Sequence, residues 1–578
     1  MRPTVNEGIM RPTVNEGIMR PTVNEGIMQP TVNEGIMRPT VNEGIMRPTV
    51  NEEKKTLVRT MSYRKYQPPV HRQVTQEEIE VLTNDLKYDC SIDQIQAIKD
   101  VANESLHDLS VLDSLCEPIP LVKYPRTPGY RPAPEDRVGN SWAWRCNIQG
   151  ATSGKLSGKT FAIKDNVSVA GVPMSNGSRL LQGYIPEFDA TVVSRILDAG
   201  GRILGKSSCD DFCLSAMGFS SVEGYITNPN RPDYRVGGSS GGSGVLVATK
   251  QVDMAIAADQ GGSIRIPAAW TGTVGLKPTY GLVPYTGLVP IEPTVDHVGP
   301  LTRNVTDCAL FLEVIAGNDG LDGRQRADVE IPEYSKLLEP GILHKKLGVL
   351  QEGLDTCVPE TQKSINEFLR NAPLAGLDLA NVSVPLHKHG GAIFTGFIAP
   401  GANTCFQMGT AGQFLQGFYP TTLEKAVRQG RQCSGSLLAP GIKTFTTIGE
   451  LLTRRYGNHY YCKSRNLILE LTKQYEEALT KCDVIVMPTL THVSSKITEK
   501  KATELESQLA YIMESTDQIA NTVAANMTGH PALTLPLGSL GDGSKDSLMI
   551  VGRKYDELTV LQVARALEKI IPERLGTL

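Results

Sequence analysis

From Ser153 onward, short apolar runs of strand length alternate with segments of helical periodicity, and this rhythm constrains the fold more than any other feature. TFAI precedes Lys164, VDMAIAA precedes Asp259, and KLGVL, DVIVMP and SLMIVG follow near positions 348, 485 and 549. ATVVSRILDAG and ELTVLQVARALEKI place apolar residues at helical spacing between or after them. Such alternation predicts an α/β protein with a sheet covered by helices. No composition shift marks a boundary inside it, so 151–578 reads as one domain. A chain of 578 residues, 40% hydrophobic and 21% charged, can bury a core of that size.

Two segments precede this body. MRPTVNEGI recurs with a nine-residue period from Met1 to about Glu52, with Gln29 replacing one Arg. Each unit is too short and too polar to pack, which predicts a disordered tail over 1–52; a multivalent binding tail and an over-extended start are the alternatives. The segment 53–150 begins with a basic linker, Lys54 to Val70, and continues as a helical extension. There Ile95, Ile98, Val101 and Leu106 recur at helical spacing, with Ser91 and Asp93 as candidate N-caps. The extension reads as a packing collar or a dimerisation surface.

Charge and cysteine usage exclude several classes. The formal net charge is −4, so no basic excess points to nucleic acid. Eleven cysteines are scattered; the closest pair, Cys209 and Cys213, lacks His or further Cys at ligand spacing, and no metal is expected. Scattered, odd-numbered thiols suit a reducing compartment, so the expected localisation is cytoplasmic. No apolar run reaches the ~18 residues of a membrane helix, and the N-terminus lacks an apolar signal region.

The chemistry concentrates in two glycine-rich clusters, VGGSSGGSG and DQGGSIRIP. Glycine permits tight turns that expose N–H groups, and a serine on such a turn can meet a carbonyl while those donors hold the oxyanion. The nucleotide patterns GxxxxGK[ST] and GxGxxG are absent, and IRIPAAW is too apolar for a linker. A nucleophile needs a base. None of the nine histidines lies near either cluster in sequence, although His297 and His530 could arrive through the fold. The other candidate is Lys164 in FAIKDN, which commonly would just begin a loop; buried beside serines, a lysine loses its proton more readily and can accept one.

These segments resemble the amidase signature: Gly-Gly-Ser-Ser-Gly-Gly followed by Asp-x-Gly-Gly-Ser-x-Arg-x-Pro, with AIKDN upstream. The likeness runs from about Thr160 to Ile571 and includes VGLKPTYGLVPYTGLVPIEPTVDHVGPLTRNVTDCALFLEVIAG and NTVAANMTGHPALTLPLG. Within the family, AIKDNVSVAGVPMSNGSR and ADQGGSIRIPAAW are most similar to broad-specificity amidases associated with bacterial nitrile degradation. The resemblance implies a large mixed, mostly parallel central sheet with helices on both faces, preceded by a small helical extension. It implies Lys164 as base, Ser239 on a cis peptide bond as proton relay, and Ser263 as nucleophile, 24 positions on (263 − 239). Backbone N–H groups of Gln260, Gly261, Gly262 and Ser263 would form the oxyanion hole, with no cofactor. The implied partner is a small amide substrate, with a homodimer through the helical extension as a further expectation. Ser240, Gly241 and Gly242 are expected to shape the loop, Asp259 and Arg265 to hold the turn, Lys277 and Pro278 to be structural, and Trp270 to be core. One departure stands out: DGSKDSLMIVG replaces the family's Gly-Leu-Pro-Val-Gly run before the last strand.

The implied reaction is hydrolysis of carboxamides to a carboxylic acid and ammonia through an acyl-enzyme. Alternatives are the glutamine-hydrolysing A subunit of an amidotransferase, a fatty acid amide hydrolase, and a non-catalytic scaffold using the repeat tail.

Overall fold

A computed structural model of the chain describes residues 61–65, 71–339, 342–409, 415–497, 517–539 and 545–571. The nonapeptide tail lies outside them, as do residues 542–544 of the departing late run.

The extension begins with β1 (Met61–Lys65), antiparallel to β2 (Cys116–Pro120). Between these strands lie helices Gln76–Asp85 and Ile92–Ser114, each opened by a capping box, Thr75 with Glu78 and Ser91 with Gln94. Ser91 is therefore the cap, and Asp93 sits in the first turn. Of the anticipated apolar stripe only Ile95 is buried; Ile98 is 39% exposed and Val101 63%.

The body is built on an eleven-stranded sheet. Its strands are β3 (Trp142–Gln149), β4 (Thr160–Lys164), β5 (Arg202–Ser207), β6 (Met254–Asp259), β7 (Val274–Lys277), β8 (His297–Thr302), β9 (Lys346–Leu350), β10 (Asp378–Val382), β11 (Val484–Pro488), β12 (Ala532–Ser539) and β13 (Lys545–Val551). Their order across the sheet is β10-β9-β11-β13-β12-β7-β8-β6-β4-β5-β3. All five apolar runs read as strands are strands, and both helical runs form helices, Thr191–Asp198 and Glu557–Glu568. The sheet is large and mixed, but its parallel share is smaller than expected. β9 pairs in parallel with β10 and β11, and β4 with β5 and β6; every other neighbouring pair is antiparallel. The cause is connectivity. No helix intervenes between β7 and β8, and β13 begins at Lys545, only a few residues after β12 ends at Ser539, whereas a parallel pair needs a long crossover.

Alternating side chains separate the two faces. Phe161, Ile163, Met254, Ile256, Leu533 and Leu548 join one core with the helices Thr191–Asp198, Val305–Ile315 and Glu557–Glu568. On the opposite face, Ala162, Ala255 and Ala257 pack with Leu246 and Val247 of the helix Gly241–Ala248. Ile485, Met487, Met549 and Val551 meet the helices Gly390–Gln407, His459–Leu479 and Val523–Thr528 on that side of their strands. Both faces are thus covered, and the carboxyl ends of β4 and β6 lie side by side, where open α/β sheets place their sites.

Candidate active site

Lys164 is the last residue of β4 and is fully buried. Its Nζ donates to Ser239 Oγ at 2.8 Å and approaches Ala258 O at 3.5 Å. The Gly238–Ser239 peptide bond is cis. Ser239 precedes the helix Gly241–Ala248, which starts so close to β5 that a Cβ on Gly242 would lie 2.5 Å from Ser208 O. A Cβ on Gly238 would stand 2.2 Å from Asp210 Oδ2. Glycine at these positions is a packing requirement.

The second cluster follows β6. Asp259 ends that strand, and its carboxylate accepts from Gly262 N (2.7 Å), Ile264 N (3.1 Å), Asn526 Nδ2 (2.8 Å) and Arg265 Nε and Nη2 (both 3.0 Å). Burial raises the cost of its charge, but Arg265 beside it and the Asn526 bond outweigh that and hold the carboxyl well below its ordinary range. Arg265 in turn donates to Thr522 O (2.8 Å) and Asn526 Oδ1 (2.6 Å). Asp259 and Arg265 therefore hold the turn, the role expected of them. Thr522 Oγ1 donates to Gly261 O at 2.5 Å, and Gln260 Nε2 donates to the Tyr285 hydroxyl at 2.8 Å.

This bracing revises one expectation. The N–H of Gly262 is committed to Asp259 Oδ1, so it is not open to an incoming oxyanion. Among the described residues no acceptor engages the N–H groups of Gln260, Gly261 or Ser263. Ser263 is 8% exposed, against 0% for Ser239. Ser240 N donates to Ser263 O at 3.3 Å, which ties the two clusters together. The Lys164–Ser239 contact is made, whereas Ser263 Oγ makes no hydrogen bond to Ser239; its hydroxyl is a single-bond rotor that can turn when a substrate binds.

The histidine alternatives lie elsewhere. His297 Nδ1 meets Val295 O and His530 Nδ1 meets Thr528 Oγ1; neither reaches a cluster serine. Trp270 is core, and Lys277 donates to Pro278 O in a buried position where desolvation, then Arg265, push its pKa well down. Among the described residues no cluster could hold a metal ion. Sequence reasoning assigned no role to Thr522 and Asn526, although both stand in the NTVAANMTGH run already read as family-like. It also missed Phe394, whose ring comes within 3.2 Å of a Cβ built on Gly261. Phe394 lies in a segment with no motif, and nothing local marks it.

A family model described as Amidase matches residues 141–561. An enantioselective amidase of Rhodococcus rhodochrous is 39% identical over 439 residues, 74% of this chain and 82% of that protein. The A subunit of the glutamyl-tRNA(Gln) amidotransferase of Koribacter versatilis is 34% identical over 419 residues, 72% of this chain and 84% of that protein. Among solved structures, a 6-aminohexanoate cyclic dimer hydrolase superposes with a TM-score of 0.63 at 26% identity, covering 73% of this chain and 86% of that one. The A subunit of the glutamyl-tRNA(Gln) amidotransferase of Thermotoga maritima gives 0.60 at 27% identity, covering 76% and 89%.

Proposed function

Because the chain belongs to the amidase signature family, we propose that it is a serine amidohydrolase cutting small carboxamides to carboxylic acid and ammonia, with Ser263 as nucleophile, Ser239 as relay and Lys164 as base. That it acts on amides follows from the family. The observation that carries the finer reading is the buried 2.8 Å bond from Lys164 Nζ to Ser239 Oγ. Neutral Lys164 takes the proton of Ser239, Ser239 takes that of Ser263, and Ser263 Oγ bonds to the amide carbon. The oxyanion is received by the N–H groups of Gln260, Gly261 and Ser263, each contributing roughly 3–4 kcal/mol in such sites. The proton returns through Ser239 to the nitrogen, ammonia leaves, and water cleaves the acyl-enzyme by the reverse relay. A lysine base predicts activity that rises toward alkaline pH.

Phe394 and Val523 flank Gly261, and with Cys213 and Ile291 they belong to one apolar cluster. These surroundings favour an uncharged acyl group. The second reading, a glutamine-hydrolysing subunit with partner proteins, is favoured by the likeness to amidotransferase A subunits. Fatty acid amide hydrolysis has less support; among the described residues no helix is long and apolar enough to cross a membrane. All eleven cysteines are free thiols, which supports a reducing compartment. The test is ammonia release from benzamide, propionamide, an aryl acetamide and glutamine, with Ser263→Ala and Lys164→Ala in parallel. Release from the simple amides, lost in both variants, is expected. Release from glutamine alone would transfer the assignment to the second reading, and turnover that survives in the variants would refute the triad.

A further inference from the structure

The N–H groups of Gln260, Gly261 and Ser263 sit on successive peptide units of the turn between Asp259 and Ser263. These units are trans, so the C=O and N–H of each point opposite ways, and a bond that pins the oxygen aims the hydrogen. Asp259 O accepts from Asn526 Nδ2 at 3.0 Å, Gly261 O from Thr522 Oγ1 at 2.5 Å, and Gly262 O from Ile266 N at 2.7 Å. The first bond aims the Gln260 N–H and the third aims the Ser263 N–H. Among the described residues no donor meets Gln260 O, so the unit that carries the Gly261 N–H is set only through its neighbours.

The neighbour that follows is the Gly261–Gly262 unit. Two residues without Cβ leave its torsions free, and only contacts from outside can hold it. Its N–H donates to Asp259 Oδ1 at 2.7 Å and its oxygen takes the Thr522 hydroxyl, so it is fixed at both ends. Among the described residues no other donor meets Gly261 O. The fit is close: Gly262 has a φ of 133°, and a Cβ there would stand 2.6 Å from Thr522 Oγ1.

Thr522 is fully buried and is the N-cap of the helix Val523–Thr528. A threonine in that position ordinarily spends its side-chain oxygen on an N–H of the first turn, and this one makes no such bond. Its backbone is held instead. The Thr522 N–H donates to Ile519 O at 3.0 Å, and its C=O accepts from Arg265 Nη1 at 2.8 Å. The hydroxyl also stands 3.1 Å from Ile519 O, but it has one hydrogen, and Gly261 O is the nearer acceptor. A ring of bonds is thereby closed, from Thr522 to Gly261, from Gly262 to Asp259, and through Arg265 back to Thr522.

We propose that Thr522 is a positioning residue for the oxyanion hole, its hydroxyl holding the Gly261–Gly262 peptide so that the Gly261 N–H faces the amide oxygen as that oxygen becomes an anion. The proposal rests on the reading of Ser263 as nucleophile and of these N–H groups as its oxyanion donors. Thr522 acts through the peptide and touches no reacting atom. Without its hydroxyl the Gly261 carbonyl loses its donor and the glycine pair is free to turn. A donor is then misplaced where charge develops, so the loss falls on turnover more than on substrate binding.

The experiment measures kcat and KM for the wild type, Thr522→Val and Thr522→Ser on whichever amide of the panel is turned over fastest, with Ser263→Ala alongside. Thr522→Val keeps the shape and loses the donor, and its kcat is expected to fall ~10- to 100-fold with KM within about threefold of the wild type. Thr522→Ser keeps the hydroxyl and is expected to restore kcat to within about threefold of the wild type. A fall of less than about tenfold in Thr522→Val, a loss carried by KM, or a Thr522→Ser as slow as Thr522→Val overturns the proposal. Should Thr522→Val fail to fold, Thr522→Ala is held to the same limits. Turnover surviving in Ser263→Ala would overturn the reading of the nucleophile itself, whereas an inactive Ser263→Ala beside a fully active Thr522→Val removes only the role of Thr522.

Discussion

Asp259 is the residue on which the nucleophile turn hangs, since its two oxygens gather the N–H groups of Gly262 and Ile264, the Arg265 guanidinium and the Asn526 amide. Asp259→Asn leaves Arg265 charged and buried without its counter-ion, a loss of about 3–5 kcal/mol, and kcat/KM is expected to fall at least ~100-fold as the donors shift. The carboxyl's folded pKa is depressed, so its stabilisation is complete above the unfolded value of about 3.9 and is lost as pH falls through and below it. Urea midpoints between pH 3 and 7 should therefore drop more steeply for the wild type than for Asp259→Asn. Asp211 has the opposite sign. Burial raises it to about 7, against the pull of the Ala439 N–H at 2.8 Å. Its favourable contribution is present below the unfolded value and is lost as pH rises through about 7. Asp211→Asn should gain in Tm relative to the wild type at pH 8.5 compared with pH 5; an unchanged difference would show that the carboxyl does not titrate there. Residue roles of this kind were only half legible: Asp259 and Arg265 belong to the motif, but Asn526 enters from 267 positions away.

At the level of elements, the glycines that open the helix Gly241–Ala248 are spent on close approach to β5. Gly242→Ala would press a Cβ to 2.5 Å from Ser208 O and 2.7 Å from Ser141 O, two backbone atoms that cannot yield without moving the chain at the end of β5 and the start of β3. A loss above about 2 kcal/mol and of most activity is expected. Gly391 in the helix Gly390–Gln407 is the counterpart, because a Cβ there meets nothing within 4 Å. Gly391→Ala should stabilise by up to ~1 kcal/mol through helix propensity alone. Urea unfolding of the two variants checks both signs. The strands that sequence reading found are long apolar runs; β7 (VGLK) and β8 (HVGPLT) went unnamed because glycine and proline interrupt them. They are strands because both are buried between others, a condition no local pattern reveals.

At the scale of the molecule, the extension sets an unsatisfied surface. On the helix Ile92–Ser114, Ile98, Val101, Leu109 and Leu112 are exposed at 39%, 63%, 44% and 61%. A contiguous apolar stripe of this kind marks an interaction face. It supports the homodimer proposed for this segment over the packing collar. Light scattering of the wild type is expected to give a dimer mass, and Val101→Glu with Leu112→Glu a monomer; a monomeric wild type would remove the proposal.

The sequence by itself determined which residues carry chemistry and which segments become the strands and helices beneath them, because turn glycines, apolar alternation and helix periodicity act over a few residues. Lys164 and the two serine clusters were legible on that basis, as were β4 and β6 that present them. Tertiary structure alone decided which of these groups meet. It brought Lys164 to Ser239 across 75 positions, tied the Gly262 N–H to Asp259, and set Phe394, Thr522 and Asn526 around the turn. Those outcomes depend on strand order and on how buried charges find partners, and both are settled by contacts between segments far apart in the chain.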